Sequence, residues 1–105
     1  MVKKLLFLFL LVFSTAVFSQ KTLQNLTAAP NPISTKATIK FDTTKDQEVF
    51  LNIKNMLGKT VYSKKHTVKK GENSILFYRN NLEAGIYIYL IQGTSETISK
   101  RFVIR

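Results

Sequence analysis

The strongest constraint on the fold is the spacing of apolar residues, which alternate with polar ones instead of recurring every three or four positions. A period of two puts successive side chains on opposite faces of an extended strand, whereas an amphipathic helix has a period of 3.6. After the N-terminal segment no stretch reads as an amphipathic helix. The sequence therefore predicts strands within 37–41, 49–54, 60–66, 74–78, 85–92 and 96–104.

Turn residues separate these stretches at intervals of about ten residues. Pro30-Asn31-Pro32 forbids a helix, Gly58 can take the positive φ that closes a hairpin, and further Gly and Asn residues stand near 71–73, 80–81 and 93. Short strands at this spacing are typical of antiparallel sandwiches. The predicted fold class is all-β: an immunoglobulin-like antiparallel β-sandwich of about seven short strands.

Two strands leave alternatives open. The stretch 85–92 is apolar on both faces, with Tyr87 and Tyr89 on one face, so it is either a central strand covered on both sides or one that presents tyrosines to a partner. In the closing strand Lys100 falls on the same face as Phe102. Either a β-bulge redirects Lys100, or its aliphatic stem passes the edge of the core.

The N-terminus has the order of a secretory signal peptide: Lys3 and Lys4, nine unbroken apolar residues, then small residues. The apolar run 5–18 is shorter than the roughly 20 residues of a membrane-spanning helix, and no cysteine is present for lipid attachment. We predict a signal peptide over 1–19, a short linker over 20–28 and one domain over 29–105, with no membrane span once the signal is removed.

The net charge is +10 at pH 7 and would be +8 without Lys3 and Lys4. This charge favours docking on an acidic partner such as anionic lipid, lipopolysaccharide or an acidic protein face. Alternatively, scattered lysines keep the strand edges soluble and unpaired. Nucleic acid is not expected as a partner, because no motif that reads it is present.

Catalytic groups are sparse. The chain has one histidine, His66, and no cysteine, so a Cys–His nucleophile and a clustered zinc site are excluded. His66 is expected to be a solvated residue at a strand end. Asp42 and Asp46 flank a loop, but Lys45 between them opposes calcium, and the spacing matches no calcium-loop pattern. We predict no enzyme, no catalytic residue, no metal and no cofactor.

Four motifs carry a family likeness. The first is Ala29-Pro30-Asn31-Pro32 followed by an alternating strand, and the second is a strand that ends in Leu57-Gly58-Lys59. The third is Leu82-Glu83-Ala84-Gly85-Ile86-Tyr87, and the fourth is the basic-then-aliphatic end Ser99–Arg105. In this order the motifs resemble the type A C-terminal sorting domain of the Bacteroidetes type IX secretion system. The resemblance covers 26–105.

The resemblance implies a sandwich that the outer-membrane secretion machinery recognises after export through the periplasm. The protein would then be secreted or carried to the cell surface, where lipopolysaccharide is a further partner. Only residues 20–28 precede the domain, so this sorting domain is expected to be almost without cargo. The residues expected to carry sorting or partner binding are Pro30, Asn31, Pro32, Gly58, Gly85, Tyr87, Lys100 and Arg101.

For the glycines, turn geometry is an equal alternative to recognition, and for Tyr87 core packing is. The alternative function is a small adhesin-like or carbohydrate-binding sandwich at the cell surface. That function would be favoured by a row of exposed tyrosines drawn from Tyr62, Tyr78, Tyr87 and Tyr89.

Overall fold

The computed structural model describes residues 21–105, and the predicted signal peptide lies outside these residues. The described part contains seven strands: β1 (Leu23–Ala29), β2 (Lys36–Thr43), β3 (Gln47–Asn55), β4 (Thr60–Val68), β5 (Gly71–Tyr78), β6 (Gly85–Gln92) and β7 (Thr97–Ile104). A search of the same residues finds no helix with the length and apolarity to cross a membrane.

The strands form two antiparallel sheets that pack face to face. The first has the order β1-β2-β5 and the second the order β4-β3-β6-β7. Alternate residues of each strand point between the sheets, and Phe102 is central there. Its ring stacks on those of Tyr89 and Phe77, with centroids 5.0 and 5.8 Å away. The prediction of an all-β sandwich is confirmed.

Strand β1 lies almost entirely within the segment that the sequence predicts to be a linker. Leu23 and Leu26 are both buried although they are three residues apart, a spacing that a regular strand would place on opposite faces. The pairing with β2 shifts between Gln24 and Thr27, and Asn25 has a φ of +58°. This bulge absorbs one residue and turns both leucines inward.

Strand β6 is central, but its two faces differ. Tyr87 and Tyr89 are buried, 7% and 2% exposed, whereas Ile86 on the other face is 48% exposed. Neither alternative from the sequence holds in full: the tyrosines fill the core, and residues 21–105 leave the aliphatic face only partly covered.

The closing strand has no bulge, because β6 and β7 stay in register from Gly85↔Ile104 to Gln92↔Thr97. Lys100 therefore shares the inward side with its partner Tyr89, yet it is exposed because β7 is an edge strand. This placement agrees with a side chain that passes the edge of the core.

His66 differs from its expected place at a solvated strand end. It lies within β4 opposite the fully buried Val49, it is half-buried, and its Nε2 atom has no hydrogen-bond partner. Desolvation, followed by the nearby Lys64 charge, lowers the pKa of His66, which favours the neutral imidazole.

Replacing Asn25 tests the bulge. Asn25→Val should lower the free energy of unfolding by about 1–2 kcal/mol, because a β-branched residue is strained at positive φ. Asn25→Gly is the matched control: it also loses the 2.7 Å hydrogen bond from the Asn25 amide to Asp42, but glycine accepts this φ. Urea unfolding of residues 21–105 measures both variants. Equal stability of the two would contradict the bulge.

Candidate functional site

The opening and closing motifs meet at the free edge of β7. The side-chain oxygen of Asn31 accepts a 2.9 Å hydrogen bond from the Val103 amide, and the Ile33 amide donates to the Val103 carbonyl at 2.7 Å. The Arg105 amide donates to the Ile33 carbonyl at 2.8 Å. Ile33 is thus a one-residue parallel addition to β7. We call Asn31, Ile33, Val103 and Arg105 the motif junction.

The two prolines flank Asn31 without taking part in this pairing. Pro30 and Pro32 are exposed, and both follow cis peptide bonds. Neither has an amide hydrogen to donate, and the acceptor for the Val103 amide at this point of the edge is the side-chain oxygen of Asn31.

Arg79 holds the motif junction from the other sheet. Its guanidinium donates to three carbonyl oxygens, those of Ser34 at 3.2 Å, Leu82 at 2.7 Å and Arg105. Hydrogen bonds from a charged donor are roughly twice as strong as neutral ones. The sequence analysis missed Arg79, because a lone arginine after a strand carries no pattern that distinguishes it from a solvated one.

Only part of the β7 edge is covered. Because alternate residues of an antiparallel strand bond to the same side, the main-chain groups of Ser99 and Arg101 point the same way as those of Val103. Within residues 21–105 no strand pairs with Ser99 or Arg101 along this edge. Lys100 and Arg101 are both exposed there.

A carboxylate fixes the opposite end of β7. Glu96 accepts hydrogen bonds from the amides of Leu23 and Thr22 and, at 2.9 Å, from the Thr22 hydroxyl. These contacts tie the beginning of β1 to the beginning of β7. The hydrogen bond from the Leu23 amide is the largest cause that lowers the pKa of Glu96, because it favours the ionised carboxylate.

Gly58 closes the hairpin between β3 and β4 with a φ of +85°. The Asn55 side chain accepts 3.0 Å hydrogen bonds from the amides of Leu57 and Lys59 and so fixes the loop. Leu57 at the tip is 93% exposed and Met56 beside it 55%. The turn therefore presents apolar side chains to solvent.

Gly85 and Tyr87 begin β6. Gly85 pairs with Ile104, next to the motif junction. The hydroxyl of Tyr87 donates a 2.8 Å hydrogen bond to the Glu83 carbonyl, and its ring centroid lies 6.3 Å from that of Phe102. Tyr87 thus anchors the loop before its own strand, an arrangement similar to the tyrosine corner of sandwich domains.

The strand register brings most of the candidate residues to one end of the sandwich. Asn55, just before the Gly58 turn, pairs with Tyr87, and Gly85 pairs with Ile104, which lies opposite Ile33. The turn, the start of β6, the proline segment and the end of β7 therefore share this end, which we call the motif end. Lys100 and Arg101 lie further along β7 and extend the group toward its open edge.

The row of tyrosines expected of a carbohydrate-binding module does not form. Tyr87 and Tyr89 are buried, and the half-buried Tyr62 packs edge-to-face on Phe77 with centroids 5.2 Å apart. Tyr78, 48% exposed, lines a shallow cavity of about 220 Å³ beside Tyr62 and Leu82. Within residues 21–105 no three His, Asp or Glu side chains are grouped to hold a metal ion.

A protein-family model described as a secretion system C-terminal sorting domain matches residues 27–105. The chain belongs to this family. The match begins within β1 and includes all six later strands, β2 to β7, together with the motif end and Arg79. The family model describes a sorting domain and not a catalytic domain. No curated protein matches the chain.

A solved structure supports the fold. Dimeric latent PorU from Porphyromonas gingivalis superposes with a TM-score of 0.64 at 16% identity, over 84% of this chain and 10% of the PorU chain. This sorting domain therefore spans about a tenth of the length of that structure. A β-glucosidase from Listeria innocua reaches a TM-score of only 0.41 at 10% identity, over 83% of this chain and 17% of its own, which is too low to support an argument.

Asn31→Ala tests the motif junction. Removing the acceptor of the Val103 amide should lower the free energy of unfolding by about 1 kcal/mol and speed hydrogen exchange at that amide. Asn31→Asp is the control that keeps an oxygen acceptor and should keep Val103 protected. Amide exchange measured by NMR on residues 21–105 reads both. Full protection of Val103 in the alanine variant would contradict the contact.

Glu96→Gln tests the contact between β1 and β7 by its pH dependence. Because the pKa of Glu96 is lower in the folded chain than its ordinary value of about 4.3, the ionised carboxylate stabilises the fold above that pH. This stabilisation is lost as the pH falls through the lowered folded pKa. The advantage of the parent chain over the glutamine variant should therefore shrink in urea unfolding as the pH falls below the ordinary pKa of a glutamate. A constant difference would refute the assignment.

Proposed function

We propose that this chain is a secretion-targeting module that the type IX secretion machinery recognises for export to the cell surface or medium. The observation that carries the proposal is the convergence of the family's motifs at one end of a single folded sandwich. The family assignment supports a sorting role, and the contacts at this end support our choice of the surface that serves it.

The proposed recognition surface consists of the motif end and the adjoining open edge of β7. Pro30, Pro32 and the Gly58 turn are exposed there, whereas Asn31 is held in place by Val103. Main-chain groups at Ser99 and Arg101 are available for pairing with a partner strand, a common mode of peptide recognition. Tyr87 is buried, and we assign it the role of fixing the loop before β6.

Folding brings motifs that are distant in sequence together on one surface. Asn31 and Val103 are 72 residues apart, and they form their contact only in the folded domain. A receptor that reads both segments would therefore distinguish folded domains from unfolded ones. This discrimination suits a domain that crosses the periplasm before it is recognised.

After recognition by the machinery, the chain meets the outer surface of the cell. The positive charge of the chain suits an anionic outer surface, and we propose lipopolysaccharide as the acidic component met there. In the fusion experiment below, a reporter takes the place of a cargo.

The sorting role is tested by a fusion of residues 1–20, a fluorescent reporter and residues 21–105 in a Bacteroidetes host. The junction lies before Lys21 because Leu23 and Leu26 belong to the core. The reporter should reach the surface or medium only in the strain with a working type IX system. Reporter retained in the periplasm of both strains would refute the proposal.

A truncation shows whether the fold is part of the address. A fusion that begins at Leu26 lacks Leu23 and the amides that bind Glu96. It should be less stable and less well exported than the fusion that begins at Lys21. Equal export would show that β1 is dispensable for sorting.

A further inference from the structure

The outer face of the four-stranded sheet carries an apolar strip that residues 21–105 do not cover. On β6, Ile86 is 48% exposed, and Ile88 and Leu90 are half-buried. Val103 lies opposite Ile86 and is 39% exposed, and Phe50, two pairs beyond Leu90, is 43% exposed. We call these five residues the outer strip. It is roughly 20 Å long, from the rise of six residues along a strand between the level of Ile86 and that of Phe50.

Two cations flank the middle of the outer strip. Ile88 pairs with Arg101 on β7 and with Lys54 on β3, so the three residues form a row across the sheet. The cations are separated by two strand spacings, about 10 Å. Within residues 21–105 neither makes an ion pair, and Glu48 on the same face is engaged by Lys65 at 3.0 Å.

This arrangement disfavours a second copy of the chain as the occupant. Two outer strips placed face to face would bring cation against cation, and like charges at an interface are repulsive. A bilayer is disfavoured as well. Because Arg101 and Lys54 lie in the same row as Ile88, sinking Ile88 into hydrocarbon would take two charges with it, which is costly.

A protein surface can satisfy both features of the strip, because its carboxylates pair with the cations while apolar side chains cover Ile88. We propose that the outer strip is a docking surface for a protein partner that presents an apolar patch between two acidic side chains. The inference rests on the proposed sorting function and places this partner in the secretion machinery. The strip is far smaller than the roughly 800 Å² that each side of a stable complex buries, so the contact is transient.

The outer strip is tested in the reporter fusion. Ile86→Glu and Lys54→Glu should each lower reporter at the surface about tenfold, because they place carboxylates against an acidic partner. The matched controls lie on the outer face of the other sheet. Leu76→Glu replaces a residue that is 49% exposed, and Lys40→Glu reverses an exposed lysine. Both controls should export normally.

The outcomes separate this proposal from the sorting role. System-dependent export of the parent fusion tests sorting alone; if the parent exports and Ile86→Glu exports equally well, only the docking surface is refuted. Equal loss in the Leu76→Glu control would also overturn the proposal, because the effect would not be specific to the strip.

Two further measurements on the purified full chain address the other occupants. Binding to vesicles of anionic phospholipid that is lost in Ile86→Glu would assign the strip to a membrane. Sedimentation that shows a dimer dissociated by Ile86→Glu would assign it to a second copy. Either result would overturn the protein-docking proposal.

Discussion

The closure of the β7 edge is the constraint on which the rest of the arrangement depends. An edge strand exposes a row of unpaired amides and carbonyls, and a long uncovered edge invites pairing with other chains. Here the end of that row is paired by Asn31 and Ile33, which precede β2 in the sequence. Arg79 then ties the end of β7, through the Arg105 carbonyl, to the segment before β2 at Ser34 and to the loop before β6 at Leu82. Three distant parts of the chain thus meet at one point.

This closure has a consequence for stability. A domain of this size buries a smaller fraction of its surface than a larger one, and the chain has no disulfide to compensate. Long-range contacts such as Glu96 with Leu23 and Asn31 with Val103 therefore matter more than single hydrogen bonds do in a large protein. They join the two sheets at opposite ends of β7, so loss of either one would loosen the same strand.

The sequence predicts the fold well because alternation survives in most of the strands. It does not reveal β1, since the bulge at Asn25 gives Leu23 and Leu26 a spacing that looks irregular. It also leaves the orientation of β6 open, because tyrosines and aliphatic residues are both apolar enough for a core. Two sets of contacts fix the core and the motif junction: Phe102 with Tyr89, and Arg79 with three carbonyls. Most of these contacts join residues far apart in sequence, so the local pattern does not predict them.

The orientation of β6 also separates two kinds of surface. With Tyr87 and Tyr89 in the core, Ile86, Ile88 and Leu90 are left on the outer face. A solvated outer face would usually carry polar residues at these positions, and β3 and β4 do carry mostly polar residues there. A partner that covered the outer strip would gain apolar contact, and the domain would not have to unfold. The motif end offers main-chain pairing, and the outer strip offers apolar and charged side chains. Because Val103 belongs to both surfaces and Arg101 borders the outer strip, one receptor could contact the two together.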